Sequence, residues 1–465
     1  MFKKKILLGS IPLLGILALG AIGSITLNNE DVKPISAEET VTAISSIRAK
    51  KYRRIDDYDY GYLYQNNEVN SQSDVLSAKE QIENATEGLD EDIEYTVITV
   101  ELYNNSSLDY TILSFGTRYE VLLNGHTWNL SAESSWELLC EKFTLKGDGG
   151  IINSCKSNNG VFLITCEDSY NSKIEVFNTT FNNFECDNCA LFNIEGNFEE
   201  DNKLSVNFDK CSFSNCKTQS NGGVISITRT YTVKIDNCSF EECSAKFGGA
   251  IYLEDSLYKV QLNGCTFTNC NGEYGGGICV SRKERKFNYP FFFELNSCLA
   301  KGCNAQDGGF AYIDAEDIDF CAFYSDSIIE NCTATGNGGG VCVSTDKVNV
   351  EGFNFENCTA ECGNAIYIEG IANSVIDCLF KNCKTSKNAY AIYCLDPIVD
   401  DNNEFLDENG EPIDPNPVYL DGINQQESET NYTYVSLWVM GSLIAAAIIG
   451  SGVTYFIVFR KKDNK

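Results

Sequence analysis

Residues 238–253 read Cys-Ser-Phe-Glu-Glu-Cys-Ser-Ala-Lys-Phe-Gly-Gly-Ala-Ile-Tyr-Leu, and residues 265–280 read Cys-Thr-Phe-Thr-Asn-Cys-Asn-Gly-Glu-Tyr-Gly-Gly-Gly-Ile-Cys-Val. Both stretches follow one phrase: Cys-x-Phe-x-x-Cys, a Gly pair five residues later, and then an alternating apolar run. Looser copies lie on either side, between Cys211 and Cys394. A phrase that recurs at a nearly fixed interval indicates a solenoid.

The interval and the apolar pattern identify the repeating unit. Apolar residues alternate with period two, as in Val260-Gln-Leu262 and Val341-Cys-Val343, which predicts short strands rather than helices. Two or three strands in about 27 residues fit one rung of a parallel β-helix, whose units fold only when stacked. The second cysteine of each copy recurs in steps of 27, 27, 33, 29, 26 and 25 residues, at Cys216, Cys243, Cys270, Cys303, Cys332, Cys358 and Cys383.

The repeat resembles a known family of surface proteins. Gly248-Gly-Ala-Ile251 and the recurring Phe-x-x phrase look like the GGAI and FxxN repeats of chlamydial polymorphic membrane proteins and of similar repeat proteins on protist surfaces. Here the FxxN phrase reads FxxC. The resemblance covers about half of the chain, and it implies a right-handed parallel β-helix of the pectin lyase-like kind, displayed on a cell surface with an adhesive role and without catalytic residues.

Both ends of the chain predict export and membrane anchoring. Three lysines, Lys3 to Lys5, precede an apolar run to Leu27, which is typical of a secretory signal; an uncleaved anchor is the alternative. An uncharged segment, 435–459, is followed at once by Arg460-Lys-Lys462. We therefore expect one transmembrane helix, with the repeats outside the plasma membrane and a short cytosolic tail, in a type I single-pass arrangement.

The predicted fold class is all-β: a right-handed parallel β-helix with an N-terminal capping helix and one C-terminal transmembrane helix. The capping helix is expected from Ser73 to Asn84, with Ser73 as N-cap and apolar residues on one side. The expected organisation is a signal peptide at 1–27, a polar linker at 28–72, the β-helix at 73–394 with regular Cys-rich rungs at 205–394, an acidic stalk at 395–434, the transmembrane helix at 435–459 and a cytosolic tail at 460–465.

The composition of the chain limits the classes of partner that it can bind. The chain has 66 acidic and 35 basic residues, a formal net charge of −31, which argues against nucleic acid as a partner.

The 22 cysteines of the chain favour an oxidising compartment and structural disulfides, either between rungs or within a rung such as Cys238 to Cys243. Zinc binding is disfavoured because only Cys186 and Cys189 have the close C-x2-C spacing, and no second such pair lies nearby. No cofactor or metal is expected. Sequons compatible with glycosylation occur at Asn84, Asn104, Asn105, Asn129, Asn178, Asn237, Asn331, Asn357 and Asn431.

The cysteines predicted to be structural recur in the repeat phrase: Cys211, Cys216, Cys238, Cys243, Cys265, Cys270, Cys298, Cys303, Cys332, Cys358, Cys378 and Cys383.

Two features are candidates for binding. If Ile251 and Leu253 point inward, Tyr252 points outward, and equivalent positions in other copies give a predicted row that includes Tyr252, Tyr312, Tyr367 and Tyr393. Such a row stacks against sugar rings or partner side chains, although tyrosine also simply favours half-exposed strands. The longest step contains a basic loop suited to anionic partners, with Arg282, Lys283, Arg285 and Lys286; a tolerated insertion is the alternative.

Three functions follow from these features. The first is adhesion or surface display, with the solenoid wall binding a glycan or a host or cell-surface protein. The second is a polysaccharide lyase or hydrolase, for which Asp314, Glu316, Asp317 and Asp319 are the acidic candidates. The third is a passive structural coat. The sequence favours a protein that is not an enzyme.

Overall fold

The computed structural model describes residues 43–420, apart from 56–57, 87–94, 112, 114–116, 131–133, 154–155, 158–159, 167–171, 198–202, 257, 283–290, 316–319, 325, 346, 371–372, 384–389, 397 and 414–417. The predicted signal peptide (1–27), transmembrane helix (435–459) and cytosolic tail (460–465) lie outside the described residues. Among the residues described, no helix is both long enough and apolar enough to span a membrane.

Each rung of the described chain contains up to three strands, as the rung from Thr232 shows. Its first strand is Thr232–Asp236, its second is Ser239–Glu241, and its third is Ile251–Glu254. Each strand pairs in parallel with its counterpart about 27 residues further on, so Val233 lies beside Val260 and Ile251 beside Ile278. The predicted parallel β-solenoid is confirmed, with about nine turns.

The first and second strands of the rungs form one sheet, which we call wall A. Within the described residues wall A has 23 strands, including an N-terminal hairpin. They are Ser45–Ile55, Tyr58–Val69, Tyr95–Leu102, Arg118–Leu122, Thr127–Asn129, Lys142–Asn153, Lys173–Asn182, Ser205–Asp209, Ser212–Ser214, Thr232–Asp236, Ser239–Glu241, Lys259–Asn263, Thr266–Thr268, Phe292–Asn296, Leu299–Lys301, Phe320–Tyr324, Ile328–Glu330, Val348–Glu351, Asn354–Glu356, Asn373–Ile376, Leu379–Lys381, Ile398–Asp401 and Glu404–Leu406.

The third strands form a second parallel sheet, wall B, with 11 strands in the part of the chain described. They are Trp136–Leu139, Phe162–Thr165, Phe192–Glu195, Ile225–Thr228, Ile251–Glu254, Ile278–Arg282, Ala311–Ala315, Val341–Ser344, Ile366–Glu369, Ile392–Cys394 and Val418–Leu420. Two short sheets lie between the walls, made of Lys156–Ser157, Glu185–Cys186 and Lys217–Thr218, and of Asn304–Ala305 and Thr333–Ala334.

The N-terminal part of the solenoid differs from the expected linker at 28–72. Strand Ser45–Ile55 pairs antiparallel with both Tyr58–Val69 and Tyr95–Leu102, so this stretch extends wall A. A helix, α1, follows at Gln72–Thr86, where the sequence predicts one. It buries Val75, Ala78 and Ile82 in the same apolar cluster as the strands.

The C-terminal boundary also differs from the predicted one. The expected stalk at 395–434 contains three further strands that continue both walls up to Leu420. Phe405 stacks on Phe380 at 4.9 Å between ring centroids, as the earlier phenylalanines do on one another. The repeat therefore continues past Cys394 although its cysteines stop there.

A column of phenylalanines fills the core beneath the second strands. Phe181, Phe213, Phe240 and Phe267 stack with nearly parallel rings at centroid separations of 5.0, 5.1 and 4.9 Å. Each ring is buried and repeats at about the spacing of neighbouring strands, about 4.8 Å. The phenylalanine of the sequence phrase is thus an inward-facing core residue that packs on its own counterparts.

The Gly pair of the phrase makes the turn before each third strand. The first glycine adopts a left-handed conformation, with φ of +60° at Gly248 and +68° at Gly275. The second glycine passes close to the next rung: a Cβ on Gly249 would lie 2.1 Å from the carbonyl oxygen of Gly276. Glycine is therefore needed at both positions, at the first for its positive φ and at the second for close passage of the neighbouring backbone.

The cysteines occupy two corners of each rung, immediately after a residue with positive φ. Asn237 (φ +52°) precedes Cys238, and Glu242 (φ +53°) precedes Cys243. Each thiol donates to the carbonyl two residues earlier, Cys238 Sγ to Asp236 O at 3.3 Å and Cys243 Sγ to Glu241 O at 3.4 Å. Thr179 makes the same corner contact, its Oγ1 donating to Phe177 O at 2.7 Å. Most corner positions therefore carry a small side chain that donates a hydrogen bond, and Phe184 and Phe353 are exceptions with buried rings.

The expected disulfides are not present among the cysteines whose side chains the structure describes. All twenty of these cysteines are thiols, nearly all of them buried. A bridge from Cys238 to Cys243 is ruled out because the strand between them separates their Cα atoms by more than about 10 Å, beyond the roughly 7 Å limit. Equivalent cysteines of neighbouring rungs do stack, but they donate to backbone carbonyls instead. Burial raises the pKa of the Cys238 and Cys358 thiols, which keeps these donors protonated.

Thiol alkylation tests this arrangement. When the full chain is unfolded without reductant and treated with iodoacetamide, we expect every corner cysteine from Cys211 to Cys383 to be modified, because none is bridged. Peptide mass mapping reads the result, and a sample reduced before alkylation is the control. Pairs of corner cysteines that react only after reduction would contradict the thiol arrangement.

Candidate binding surface

The outer face of wall B carries the predicted tyrosine row. In each third strand the first and third residues point inward, as Ile251 and Leu253 do, and the second points outward. The strand pairings place these second residues directly beside one another, which confirms the predicted register. We call this set the tyrosine column: Ser226, Tyr252, Cys279, Tyr312, Cys342, Tyr367, Tyr393 and Tyr419.

The tyrosines of the column differ in exposure. Tyr252 is only 4% exposed, because Phe247 of the preceding turn packs beside it at 6.1 Å between ring centroids. Tyr312, Tyr367 and Tyr393 are half-buried. Tyr367 and Tyr393 stack at 5.4 Å with an interplanar angle of 13°. The accessible part of the column is therefore its C-terminal half, and Tyr252 does not present a ring to solvent.

A second column lies two residues further along each strand. We call it the acidic column, because carboxylates recur on alternate rungs, separated by hydroxyl residues: Glu195, Thr228, Glu254, Ser281, Asp314, Ser344 and Glu369.

From Tyr252 to Tyr367 the two columns alternate together, and beyond Tyr367 tyrosine recurs on every rung. Tyr252, Tyr312 and Tyr367 share their strands with Glu254, Asp314 and Glu369, whereas the strands between them carry Cys-x-Ser. Sequence reasoning missed this two-rung period. The signal was present as Tyr-x-acid in every second copy and Cys-x-Ser in the copies between.

Burial and the acidic column keep the tyrosines neutral. Burial raises the pKa of the Tyr252 and Tyr312 phenols, and neighbouring Glu254 and Asp314 raise them further. Burial, with Glu369 alongside, raises the pKa of Tyr367 to about 12. At neutral pH the face therefore offers phenol hydroxyls as donors, ring surface for stacking, and carboxylates as acceptors.

The carboxylates of the acidic column have different neighbours. Glu195 pairs with Arg229 of the next rung. Within the described residues, neither Asp314 nor Glu369 is part of an ion pair, and Glu369 is exposed. The surface around the accessible tyrosines is thus negative, which favours a cationic partner there.

Of the four basic residues predicted in the loop, the structure describes only Arg282. Arg282 is 7% exposed, with its guanidinium 5.2 Å from the ring centroid of Phe291. It packs against the wall rather than facing a partner. Lys283, Arg285 and Lys286 lie outside the described residues, as do Glu316, Asp317 and Asp319 of the acidic turn. In the described part of the chain, no three His, Cys, Asp or Glu side chains converge on a metal-binding arrangement.

Comparison with known proteins does not assign the chain to a family. No family model matches it, and no curated protein matches it. Among solved structures it is similar to tailspike protein 3 of bacteriophage CBA120, with 10% sequence identity and a TM-score of 0.35. The match covers 81% of this chain and 66% of the tailspike chain, slightly under two thirds of that protein. The resemblance to chlamydial polymorphic membrane proteins is not confirmed by these comparisons.

The raised pKa of Tyr367 predicts how stability depends on pH. The folded phenol ionises near pH 12 and the unfolded one near pH ~10, so its stabilising contribution is present below pH ~10 and lost as pH rises towards 12. We expect the free energy of unfolding to fall less over this interval in Tyr367→Phe than in the natural chain. Denaturant melts at several pH values measure it, and parallel pH profiles for both chains would contradict the assignment.

Proposed function

We propose that this chain is a membrane-anchored surface protein that acts in adhesion or display and binds a glycan or protein partner through wall B. The observation that carries the proposal is the accessible part of the tyrosine column. Half-buried tyrosines in register on a stacked sheet offer contact area with little loss of side-chain freedom, as aromatic residues at binding surfaces do.

The ends of the chain supply the surface location in this proposal. A secretory leader at 1–27 and a membrane segment at 435–459 would hold the solenoid outside the cell. The net charge of −31 suits a hydrated surface protein that does not self-associate. The hairpin and α1 serve as the cap in this account, because an open first rung would leave a strand edge free for aggregation.

A polysaccharide-cleaving enzyme is the competing function. Carboxylates of the acidic column two strands apart, such as Glu254 and Asp314, have Cα atoms separated by about 9.6 Å. Inverting glycosidases place two carboxyl groups at roughly 6.5 to 9.5 Å. The Cα separation lies just beyond the upper end of this range, and side chains that lean slightly towards each other would bring the carboxyl groups within it. The enzyme is therefore the second candidate, whereas adhesion requires only the tyrosine face.

A binding assay on displayed protein tests the proposal. Cells or beads that carry the full chain are measured on a glycan array and on host-cell surfaces. The variant Tyr312→Ala/Tyr367→Ala should bind at least about fivefold more weakly, because it removes two stacking surfaces. The control is Tyr231→Ala/Tyr258→Ala, which removes a stacked pair, 5.0 Å apart, that lies outside wall B.

The same assay separates the alternatives. Saturable binding that the control keeps and the wall-B variant loses supports adhesion. Release of oligosaccharide products, lost in Glu254→Gln or Asp314→Asn, supports the enzyme instead. If no surface shows saturable binding, adhesion is refuted and the passive structural coat is the remaining function. A separate Lys283→Ser/Arg285→Ser/Lys286→Ser variant tests the basic loop without altering buried Arg282.

A further inference from the structure

The period of wall B restricts what can lie along it. Neighbouring strands are about 4.8 Å apart, so rungs that carry both a tyrosine and a carboxylate recur about every 9.6 Å. The carboxylates Glu254, Asp314 and Glu369 mark three successive positions of this period, which are two repeats in all. A linear polymer that runs across the strands would make equivalent contacts only if its own repeat is close to this distance.

Of the regular peptide conformations, polyproline II fits the period. It has three residues per turn and a rise of 3.1 Å, which gives a repeat of about 9.3 Å. The mismatch is about 0.3 Å per repeat and stays below about 1 Å over three repeats. An extended strand repeats every two residues, a distance of about 6.7 Å, so its side chains would be out of register with the ~9.6 Å period of wall B within one repeat. An α-helix returns to the same face after seven residues, a distance of about 10.5 Å. Its mismatch with the ~9.6 Å period of wall B is roughly three times that of polyproline II.

The chemistry of the face matches the same polymer. Tyrosine rings such as Tyr312 and Tyr367 form the kind of aromatic surface on which proline-rich segments dock. The carboxylates of Asp314 and Glu369, which have no ion-pair partner within the described residues, are placed to receive a lysine or arginine at every third position of the segment. A polyproline II segment is also preformed, so little conformational freedom is lost on binding.

We propose that the accessible half of wall B binds a basic, proline-rich polypeptide in the polyproline II conformation. Its prolines lie on the tyrosine column and its lysine or arginine residues lie on the acidic column. This inference rests on the proposed function, since it specifies the class of partner that the adhesive face takes. The two strand steps from Asp314 to Glu369 span about 9.6 Å, which one turn of such a segment covers.

Fluorescence anisotropy of labelled peptides, titrated with the purified full-length chain, tests this proposal. A twelve-residue Pro-Pro-Arg repeat should bind, and a Gly-Gly-Arg repeat of equal length and charge should bind at least about tenfold more weakly because it is not preformed. A Pro-Pro-Glu repeat should show no binding. The variant Asp314→Asn/Glu369→Gln should weaken Pro-Pro-Arg binding roughly two- to twentyfold.

The controls separate this inference from simple charge attraction. Glu351→Gln removes one exposed carboxylate from wall A and should leave binding unchanged. Circular dichroism confirms that each variant is folded. Equal affinity for the Pro-Pro-Arg and Gly-Gly-Arg repeats would overturn the inference, as would equal losses in the wall-A and wall-B variants. If neither peptide binds while glycans or cells still do, the inference fails and the proposed function stands.

Discussion

The backbone ladder between rungs is the constraint on which the rest of the structure depends. Because strands pair in parallel and in register, each residue lies beside its own counterpart in the rungs before and after it. Every position must therefore tolerate a neighbour of its own kind at about 4.8 Å. Phenylalanine meets this condition by stacking, glycine by leaving room for a carbonyl, and cysteine by turning its thiol to the backbone.

The corners show how strict the condition is. A residue with positive φ opens each corner, and where it is not glycine, asparagine and aspartate dominate because their short side chains tolerate that conformation. Side-chain amides then bond along the outer edge, as Asn382 Nδ2 donates to Asn357 Oδ1 at 2.7 Å. Where asparagine replaces the cysteine, the bond to the backbone is kept, because Asn403 Nδ2 donates to Val375 O at 2.7 Å, whereas Phe184 and Phe353 fill their corners with buried rings. Hydrogen bonding thus explains the polar corner residues without covalent bridges.

Much of the repeat could be predicted from the sequence, because stacking leaves a periodic pattern of Phe, Gly and alternating apolar residues. The hairpin was missed because Ser45–Ile55 and Tyr58–Val69 read as a charged, polar stretch, and only pairing with the distant Tyr95–Leu102 makes them strands. The last rungs were missed because Asn403 replaces the expected cysteine. The disulfides were expected because stacked positions lie within bridging distance, but the sequence does not indicate where each thiol points.

The candidate surface was predicted in part. The tyrosine column could be placed because outward positions follow from the strand period. The burial of Tyr252 and Arg282 could not, since Phe247 and Phe291, which pack beside them, come from other segments of the rung. The acidic column is visible in the sequence only when alternate copies are compared, because its period is two rungs rather than one.

Spin-label distance measurement tests the stacking most directly. Labels introduced as unnatural amino acids at Thr165 and Ser344, which lie in one column six strand steps apart, should be separated by about 29 Å although the two residues are 179 positions apart in the sequence. A narrow distribution near that distance is the expected result. A broad distribution, or one centred beyond about 40 Å, would contradict the in-register coil on which both walls and the proposed binding surface depend.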